Sequence, residues 1–206
     1  MKKLFTFILI LGLAINLFAS GQIPDKIIYK GNNYKLLSFP LDPYFKIHPE
    51  KLPKIGIVST GLWREYIATF KLTDNQLFVE DIQILSSVEN TYKSVLNEIF
   101  PNKRFIKANW FSGLMVVAYG NATIKAVGWT IYENYVVLEV NNGNTVKEKQ
   151  FNYNQYEEFK DEQFKFFKKT EEYNKVVVSL KKHHIKDVDN LIKFDILNYL
   201  NKILIE

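Results

Sequence analysis

The chain has 206 residues, of which 47% are hydrophobic and 24% are charged, and its formal charge is +5. This composition is typical of a folded domain, and it excludes a disordered chain and a collagen-like repeat. The chain contains no cysteine, which excludes disulfide scaffolds, thiolate zinc sites, cysteine nucleophiles and iron–sulfur clusters. Its stability must therefore come from packing.

The N-terminal residues have the pattern of an export signal. Two lysines precede an apolar stretch over residues 4–18, and three small residues end it. The stretch is shorter than the roughly 20 residues that a membrane-spanning helix needs. We expect residues 1–21 to be a signal peptide and residues 22–206 to form one domain in the periplasm or outside the cell. An uncleaved N-terminal anchor is the alternative.

Removal of the signal peptide leaves 25 cationic and 22 anionic side chains, a formal charge of about +3. The cations alternate with acids along the chain and form no long basic run. We therefore expect no nucleic-acid partner. We also expect no stable membrane anchor after cleavage.

The first half of the domain predicts a loop, a hairpin and a helix, in that order. Residues 34–39 alternate loosely, and the four prolines between positions 40 and 53 favour an irregular connection over a helix. Residues 63–72 and 77–85 are rich in β-formers and flank a turn, which predicts a β-hairpin. Apolar residues at helical spacing in 89–100, ended by Pro101, predict a helix.

The second half predicts further strands and then helices. The β-rich segments are separated by turns at Gly120-Asn121 and Asn142-Gly143, and they cover 104–108, 113–119, 123–131, 135–140 and 145–151. An amphipathic helix begins at Asn154, and its predicted apolar side consists of Tyr156, Phe159, Gln163, Phe164 and Phe167. Residues 176–180 fit either a short strand or more helix, and apolar spacing over 188–203 predicts a final helix.

These elements together predict an α+β fold. We expect a single antiparallel β-sheet domain with one inserted helix and a helical C-terminal segment. No linker interrupts residues 22–206, and no repeat of fixed period is present.

A metal site has one candidate in this sequence. His183 and His184, with Asp187 and Asp189 close behind, offer nitrogen and oxygen ligands for a divalent cation. Adjacent side chains point in different directions on a helix or a strand, so both histidines reach one ion only through a special turn. We therefore expect a solvated helix start and no metal site.

Catalysis by carboxylates is the main enzymatic alternative. Glu65, Glu80 and Asp81 fall in the predicted first hairpin, where two of them could form an acid/base pair across the strands. Carboxylates are also common on the solvated face of a strand, and that explanation is favoured here. Ser112 lacks the G-x-S-x-G elbow, and the glycines form no phosphate loop or dinucleotide fingerprint, so we expect no cofactor.

Aromatic side chains are the more informative set. They cluster around the predicted sheet, where a rigid aromatic surface can bind a sugar, a peptide or a partner protein. An arginine between two aromatics can stack and also bind a carboxylate, either as a structural pin or as an anchor for a partner. The candidate binding residues are Trp63, Arg64, Tyr66, Trp110, Phe111 and Trp129.

Two short motifs carry a resemblance to a known family. The segment L-W-R-E-Y-I-A-T-F begins at Leu62, and the segment A-N-W-F-S-G begins at Ala108. The chain resembles, over about residues 34–151, an uncharacterised family of small bacterial proteins with the motifs W-R-G-Y-I-A-T-W and A-x-W-F-S-G. Glu65 replaces the family's glycine, and Phe70 replaces its second tryptophan.

The resemblance implies a single sheet-containing domain and an association with bacterial defence and toxin immunity, but no defined activity. We expect an exported, non-enzymatic binding or interaction protein that meets a protein partner through its aromatic sheet face or its helical tail. An immunity-like role is the form that the resemblance suggests. The alternatives are a hydrolase that uses the sheet carboxylates and an envelope structural protein. The sequence leaves the oligomeric state open.

Overall fold

The protein is described by a computed structural model over residues 23–53, 61–62, 64–86, 91–126 and 129–205. The expected signal peptide lies outside these residues, as do Trp63 and the side chain of Trp129. The statements below concern the described residues.

Nine strands form one sheet, and five α-helices accompany it, in the described part of the chain. The strands are β1 Asp25–Tyr29, β2 Asn32–Leu36, β3 Ile67–Thr73, β4 Gln76–Leu85, β5 Tyr92–Ser94, β6 Ile106–Lys107, β7 Gly113–Ala126, β8 Trp129–Asn141 and β9 Asn144–Asn152. The helices are α1 Asp42–Ile47, α2 Leu96–Ile99, α3 Tyr153–Phe167, α4 Glu171–Lys182 and α5 Val188–Phe194, with 3₁₀ turns at Pro49–Lys51 and Ile196–Tyr199. The predicted α+β class with a single sheet is confirmed.

The sheet closes on itself. The strand order runs β3-β1-β2-β7-β8-β9-β4, and β3 also pairs with β4, so these strands form a ring. The β4–β9 seam is short, since Gln76 opposite Asn144 is its one registered pair. Every pairing is antiparallel except that of β1 with β3. Closure leaves few unpaired strand edges.

Three tight turns set the hairpin registers. Positive φ angles occur at both central residues of Lys30-Gly31, Asp74-Asn75 and Asn142-Gly143, the geometry of type I′ turns that matches strand twist. The last two of these turns were predicted from the sequence, and the hairpin of β3 and β4 is confirmed. A Cβ at Gly143 would lie 2.8 Å from the carbonyl oxygen of Ala108, so this turn also needs glycine for space.

Strands β7 and β8 are buried on both faces. Met115, Val117 and Leu138 point into the core inside the ring. Leu114 and Val137 point outward, into a second core that α3, α5 and the last 3₁₀ turn cover. Helix α3 begins with a capping box between Asn152 and Gln155, and the predicted apolar side is confirmed, with Phe164 only partly buried.

The predicted helix over 89–100 is wrong for most of the segment that the structure describes. Tyr92–Ser94 forms β5 instead, which pairs with the edge of β4, and only Leu96–Ile99 is helical. A free edge on β4 offers backbone hydrogen bonds that outweigh the helical spacing of the side chains. Residues 87–90 lie outside the described residues.

The predicted loop over 34–53 is also wrong in part. Residues 32–36 form β2, and α1 forms at Asp42–Ile47 with Pro43 in its first turn, a position where the missing N–H of proline costs nothing. Gly120 marks a bulge within one long strand rather than a turn, because the β7–β8 register shifts between Tyr119 and Ala122.

Two C-terminal expectations are settled as well. Residues 176–180 belong to helix α4, so the helical alternative for them is correct. The predicted final helix ends at Phe194, and a 3₁₀ turn at Ile196–Tyr199 follows it. The segment therefore bends over the sheet instead of continuing straight.

Candidate functional site

The residues of both sequence motifs meet at the segment that links β2 to α1. Arg64 stacks on Phe39, with the guanidinium carbon 3.7 Å from the ring centre. The Trp110 indole N–H donates to the carbonyl oxygen of Pro40 at 2.9 Å. Arg64 and Trp110, which are 46 residues apart in sequence, therefore hold the same short segment in place.

Arg64 forms a buried ion pair with Asp25 of β1. Its Nη1 and Nη2 donate to Oδ2 and Oδ1 of Asp25, each at 3.2 Å, and Nη2 also donates to the carbonyl oxygen of Ile23 at 3.2 Å. The backbone N–H of Ala68 donates to Oδ1 of Asp25 at 2.9 Å. The Asp25 side chain is fully buried, so it is accessible to no partner. Arg64 joins the start of β1 to the segment that precedes β3.

Burial dominates the electrostatics of this pair. Desolvation raises the pKa of Asp25 to about 6, while Arg64 and the Ala68 N–H act in the opposite direction. The Nε of Arg64 is buried and has no hydrogen-bond partner among the described residues. An ion pair that loses this much solvation fixes geometry more than it adds stability.

Tyr66 extends the same network toward α1. Its hydroxyl donates to Oδ1 of Asp42 at 2.9 Å, and its ring meets Phe45 edge-on with 5.2 Å between centres. Burial raises the pKa of Asp42, and burial also raises the pKa of Tyr66. The tyrosine is a donor that fastens the first turn of α1.

Trp110 belongs to an aromatic cluster at the same end of the ring. Its ring centre lies 4.7 Å from that of Tyr44 and 5.8 Å from that of Phe100, which is nearly parallel to it. The ammonium group of Lys51 donates to the Tyr44 hydroxyl at 3.0 Å. Trp110 is half-buried, so one part of its indole faces solvent while the rest closes the core.

The A-N-W-F-S-G motif fixes the Asn142-Gly143 turn. The Gly143 N–H donates to the carbonyl oxygen of Phe111 at 2.9 Å, and the Asn142 N–H donates to the Ser112 hydroxyl at 2.9 Å. The Phe111 ring is buried. This segment crosses the end of the ring and seals the short β4–β9 seam.

The expected binding residues are thus brought together in part. Arg64, Tyr66 and Phe111 are buried and Trp110 is half-buried, all close to α1. Trp63 and the Trp129 side chain lie outside the described residues. The described members of the set act mainly by packing, and the Trp110 edge is their one solvent-facing part.

The candidate catalytic carboxylates have separate surroundings. Oδ1 of Asp81 accepts from the Ile82 N–H and from the Ser94 hydroxyl. Glu80 is the exposed extra residue of a bulge in β4. Glu65 has a φ of +66°, the left-handed region that favours glycine.

The residues of the candidate metal site lie at the ends of two different helices. His183 ends α4, and Asp187 caps α5 by accepting from the Asn190 N–H. Asp189 accepts from Lys168 and from the Tyr173 hydroxyl. Among the described residues there is no group of three or more His, Asp or Glu side chains placed to hold a metal ion.

Sequence reasoning missed two surface features. The first is the charge of residues 165–186, which we call the cationic arm: it contains seven lysines and two glutamates, and the remainder of the chain has twenty cationic and twenty anionic side chains. Counting charged residues in a window moved along the sequence would have found this excess of lysine. The second is the pair of facing lysines on β1 and β2, Lys26 and Lys35, which only strand register reveals.

Comparison of the chain with protein-family models, with curated proteins and with solved structures finds no match. Within the part of the chain that the structure describes, none of the helices has the length and apolar character to cross a bilayer.

Proposed function

We propose that this protein is an exported, non-enzymatic interaction protein that binds an acidic protein partner through its cationic arm. The observation that carries the proposal is the incomplete burial of α4. Its apolar stripe of Tyr173, Val176, Val177 and Leu180 packs against the second core but is only partly buried, and no residue of the helix is fully buried. A surface helix normally buries such a stripe.

The inner side of α4 is only half covered by the domain. Tyr173 meets Phe167 and Phe164 edge-on, with ring centres 5.9 and 6.5 Å apart. The Tyr173 hydroxyl and Lys168 both bind Asp189 of α5. These contacts hold the start of the helix against the domain and leave its outer side free.

The outer side combines charge with one apolar side chain. Lys175, Val178 and Lys182 lie at spacing i, i+3 and i+7, which places them on one face. Val178 is 55% exposed, and neither lysine forms a salt bridge with a described residue. An apolar contact flanked by cations suits an acidic protein surface.

The test is photo-crosslinking of the full chain in the cells that produce it. A photoreactive amino acid replaces Val178, and Val146 of β9, which is 53% exposed, is the matched control position. We expect one discrete protein adduct from position 178, none from position 146, and loss of the adduct in Lys175→Glu/Lys182→Glu. Equal adducts from both positions, or insensitivity to charge reversal, would overturn the proposal. Adducts to lipid alone would assign the arm to a membrane surface instead.

Export has its own test. The mature protein is expected in the periplasm or the medium, with an N-terminus near Gln22. Fractionation followed by N-terminal sequencing measures both properties. A cytoplasmic chain that begins at Met1 would contradict export and leave the crosslinking result to be judged separately.

A further inference from the structure

A cavity lies between α3 and the segment that follows α5, on the outer side of the sheet. Its volume is about 200 Å³, below the range of drug-sized ligand sites, so it suits a small molecule. Leu37, Val116 and Leu197 line it with apolar side chains that belong to the second core or pack against it. The described polar groups of the lining include Tyr156, Glu157, Lys160, Asp195 and Asn198.

Asp195 brings a carboxylate without a donor to this cavity. It holds the N-terminal cap position of the last 3₁₀ turn, but its side chain makes no capping hydrogen bond. It also forms no salt bridge with any part of the chain that the structure describes. The residue is half-buried, and burial raises the pKa of Asp195 while the charge of Lys160 acts in the opposite direction. A half-buried carboxylate without a donor costs free energy.

Lys160 is already engaged with another carboxylate. Its Nζ lies 2.8 Å from Oε1 of Glu157, and its side chain is only 13% exposed. The same ammonium group lies 5.1 Å from the ring centre of Tyr156 and 5.9 Å from that of Phe194. Among the described lining residues, two carboxylates therefore face one ammonium group, and the charge that is left over is the negative charge of Asp195.

Aromatic rings line the cavity on the same side of the sheet as this charge. Tyr156 stacks on Tyr135 with 4.1 Å between ring centres, and both belong to the second core. Tyr153 packs against that core and also lines the cavity. Tyr156 is 9% exposed, and its hydroxyl makes no hydrogen bond to a described residue. Ring faces attract cations, and the hydroxyl oxygen can accept from one.

We propose that this cavity binds the ammonium group of a small primary alkylamine. An alkylammonium ion supplies the charge-assisted hydrogen bond that Asp195 lacks, and its alkyl chain packs on the apolar walls. Its single positive charge balances the one negative charge that is left over. A zwitterionic amino acid would bring a further carboxylate close to Asp195 and Glu157, and a neutral alcohol would leave the charge unbalanced.

The cavity is separate from the cationic arm. Its described lining residues come from β2, β7, β8, α3 and the end of α5, and none of them belongs to residues 165–186. Failure of one proposal therefore leaves the other intact.

The experiment is an NMR titration of the folded protein with three probes that share one alkyl chain. They are n-pentylamine, 1-pentanol and norleucine, which is pentylamine with a carboxylate on its amino carbon. We expect saturable shifts of the lining residues with pentylamine, which high salt weakens, and roughly tenfold weaker binding of the other two probes. Equal binding of norleucine would replace the proposal by an amino-acid site, and equal binding of pentanol would leave only an apolar cavity.

A fourth probe distinguishes two sources of the same ammonium group. N-acetyl-lysine amide carries it on a peptide unit. Binding as tight as that of pentylamine would support a lysine side chain of a peptide as the occupant, and weaker binding would support a free amine.

Substitutions locate the site. Asp195→Asn should weaken the binding of pentylamine roughly tenfold, while the melting temperature stays level or rises, because burial penalises the charge of Asp195 more than Lys160 stabilises it. Asp161→Asn is the matched control, since Asp161 joins α3 to α5 through Lys193 at 3.0 Å and lies outside the cavity. Lys160→Met should strengthen binding, because it frees Glu157 for the ligand. No binding of pentylamine, an equal loss in Asp161→Asn, or weaker binding in Lys160→Met would overturn the proposal.

Discussion

The buried ion pair gives the most direct test of how this fold is held together. Arg64→Ala removes two hydrogen bonds to Asp25, one to the carbonyl oxygen of Ile23 and the stacking on Phe39. Asp25 would then keep only the N–H of Ala68 while remaining buried. Loss of one partner of a buried pair costs about 3–5 kcal/mol. For a domain of this size the melting temperature should fall by about 10 °C.

The loss of stability in Arg64→Ala must depend on pH. The pKa of Asp25 is raised to about 6, so at pH 8 the carboxyl is charged and the pair is ionic. At pH 4.5 the carboxyl is mostly protonated, and the Coulomb attraction that Arg64 supplies is absent. The difference in unfolding free energy between wild type and Arg64→Ala should therefore be larger at pH 8 than at pH 4.5.

Urea unfolding followed by circular dichroism measures this difference at both pH values. Arg104→Ala is the control, since Arg104 is the only other arginine in the chain and is exposed. Exposed substitutions usually change stability by less than about 0.5 kcal/mol. A loss below about 1 kcal/mol at pH 8 in Arg64→Ala, or the same loss at both pH values, would refute the assignment of Arg64 as a structural pin.

Three further substitutions test separate parts of the argument. The pKa of Asp25 is higher in the folded than in the unfolded protein, so its contribution to stability is complete below about pH 4 and is lost as the pH rises through about 6. The loss amounts to roughly 3 kcal/mol of unfolding free energy. The pH dependence of stability in Asp25→Asn should lack this loss, and a pH dependence like that of the wild type would contradict the prediction. Gly143→Ala should lower the unfolding free energy by about 2 kcal/mol more than Gly31→Ala does. Both glycines have positive φ, but only at Gly143 would the added Cβ clash with Ala108. Calorimetry compares the two variants, and equal losses of stability would contradict the close approach at Gly143. Glu65→Gly should raise stability by about 0.5–1 kcal/mol by relieving a left-handed conformation, and a lower melting temperature would show that the Glu65 side chain contributes contacts of its own.

Local signals predicted the parts of the fold whose geometry is local. The Asp74-Asn75 and Asn142-Gly143 turns have residue types that tolerate positive φ, so the sequence located both hairpins. Helix α3 was predicted for the same kind of reason, because its repeating apolar spacing lies within one segment. The Lys30-Gly31 turn carried a similar signal, and the strands beside it could have been predicted from it.

A non-local pairing explains one of the wrong predictions, and a local rule of helix termini explains the other. Residues 92–94 have side chains at helical spacing, but the exposed edge of β4 draws their backbone into a strand. The prolines between positions 40 and 53 disfavour a helix, yet at the first turn of α1 Pro43 fits without loss of a hydrogen bond. The strand at 92–94 therefore depends on what lies beside it in space, whereas the position of Pro43 within α1 is a local matter.

The candidate site was likewise predicted only in part from the sequence. The sequence singled out Arg64 and Trp110 from their aromatic surroundings, but it did not identify Asp25 or the Pro40 carbonyl as their partners. Those partners lie 39 and 70 residues away in the chain. The sequence also did not predict that Lys26 and Lys35 stand opposite each other. Each of them on its own has the pattern of an ordinary exposed strand residue.

The amino-acid sequence by itself determined that this protein is a cysteine-free α+β domain with its strands first and its long helices last. Turn chemistry, capping and apolar periodicity act between near neighbours, so they can be read along the chain. The tertiary structure decided the closure of the sheet, the burial of Arg64 and the meeting of Lys26 with Lys35. Each of these results depends on strand register, which is set by packing across the whole domain.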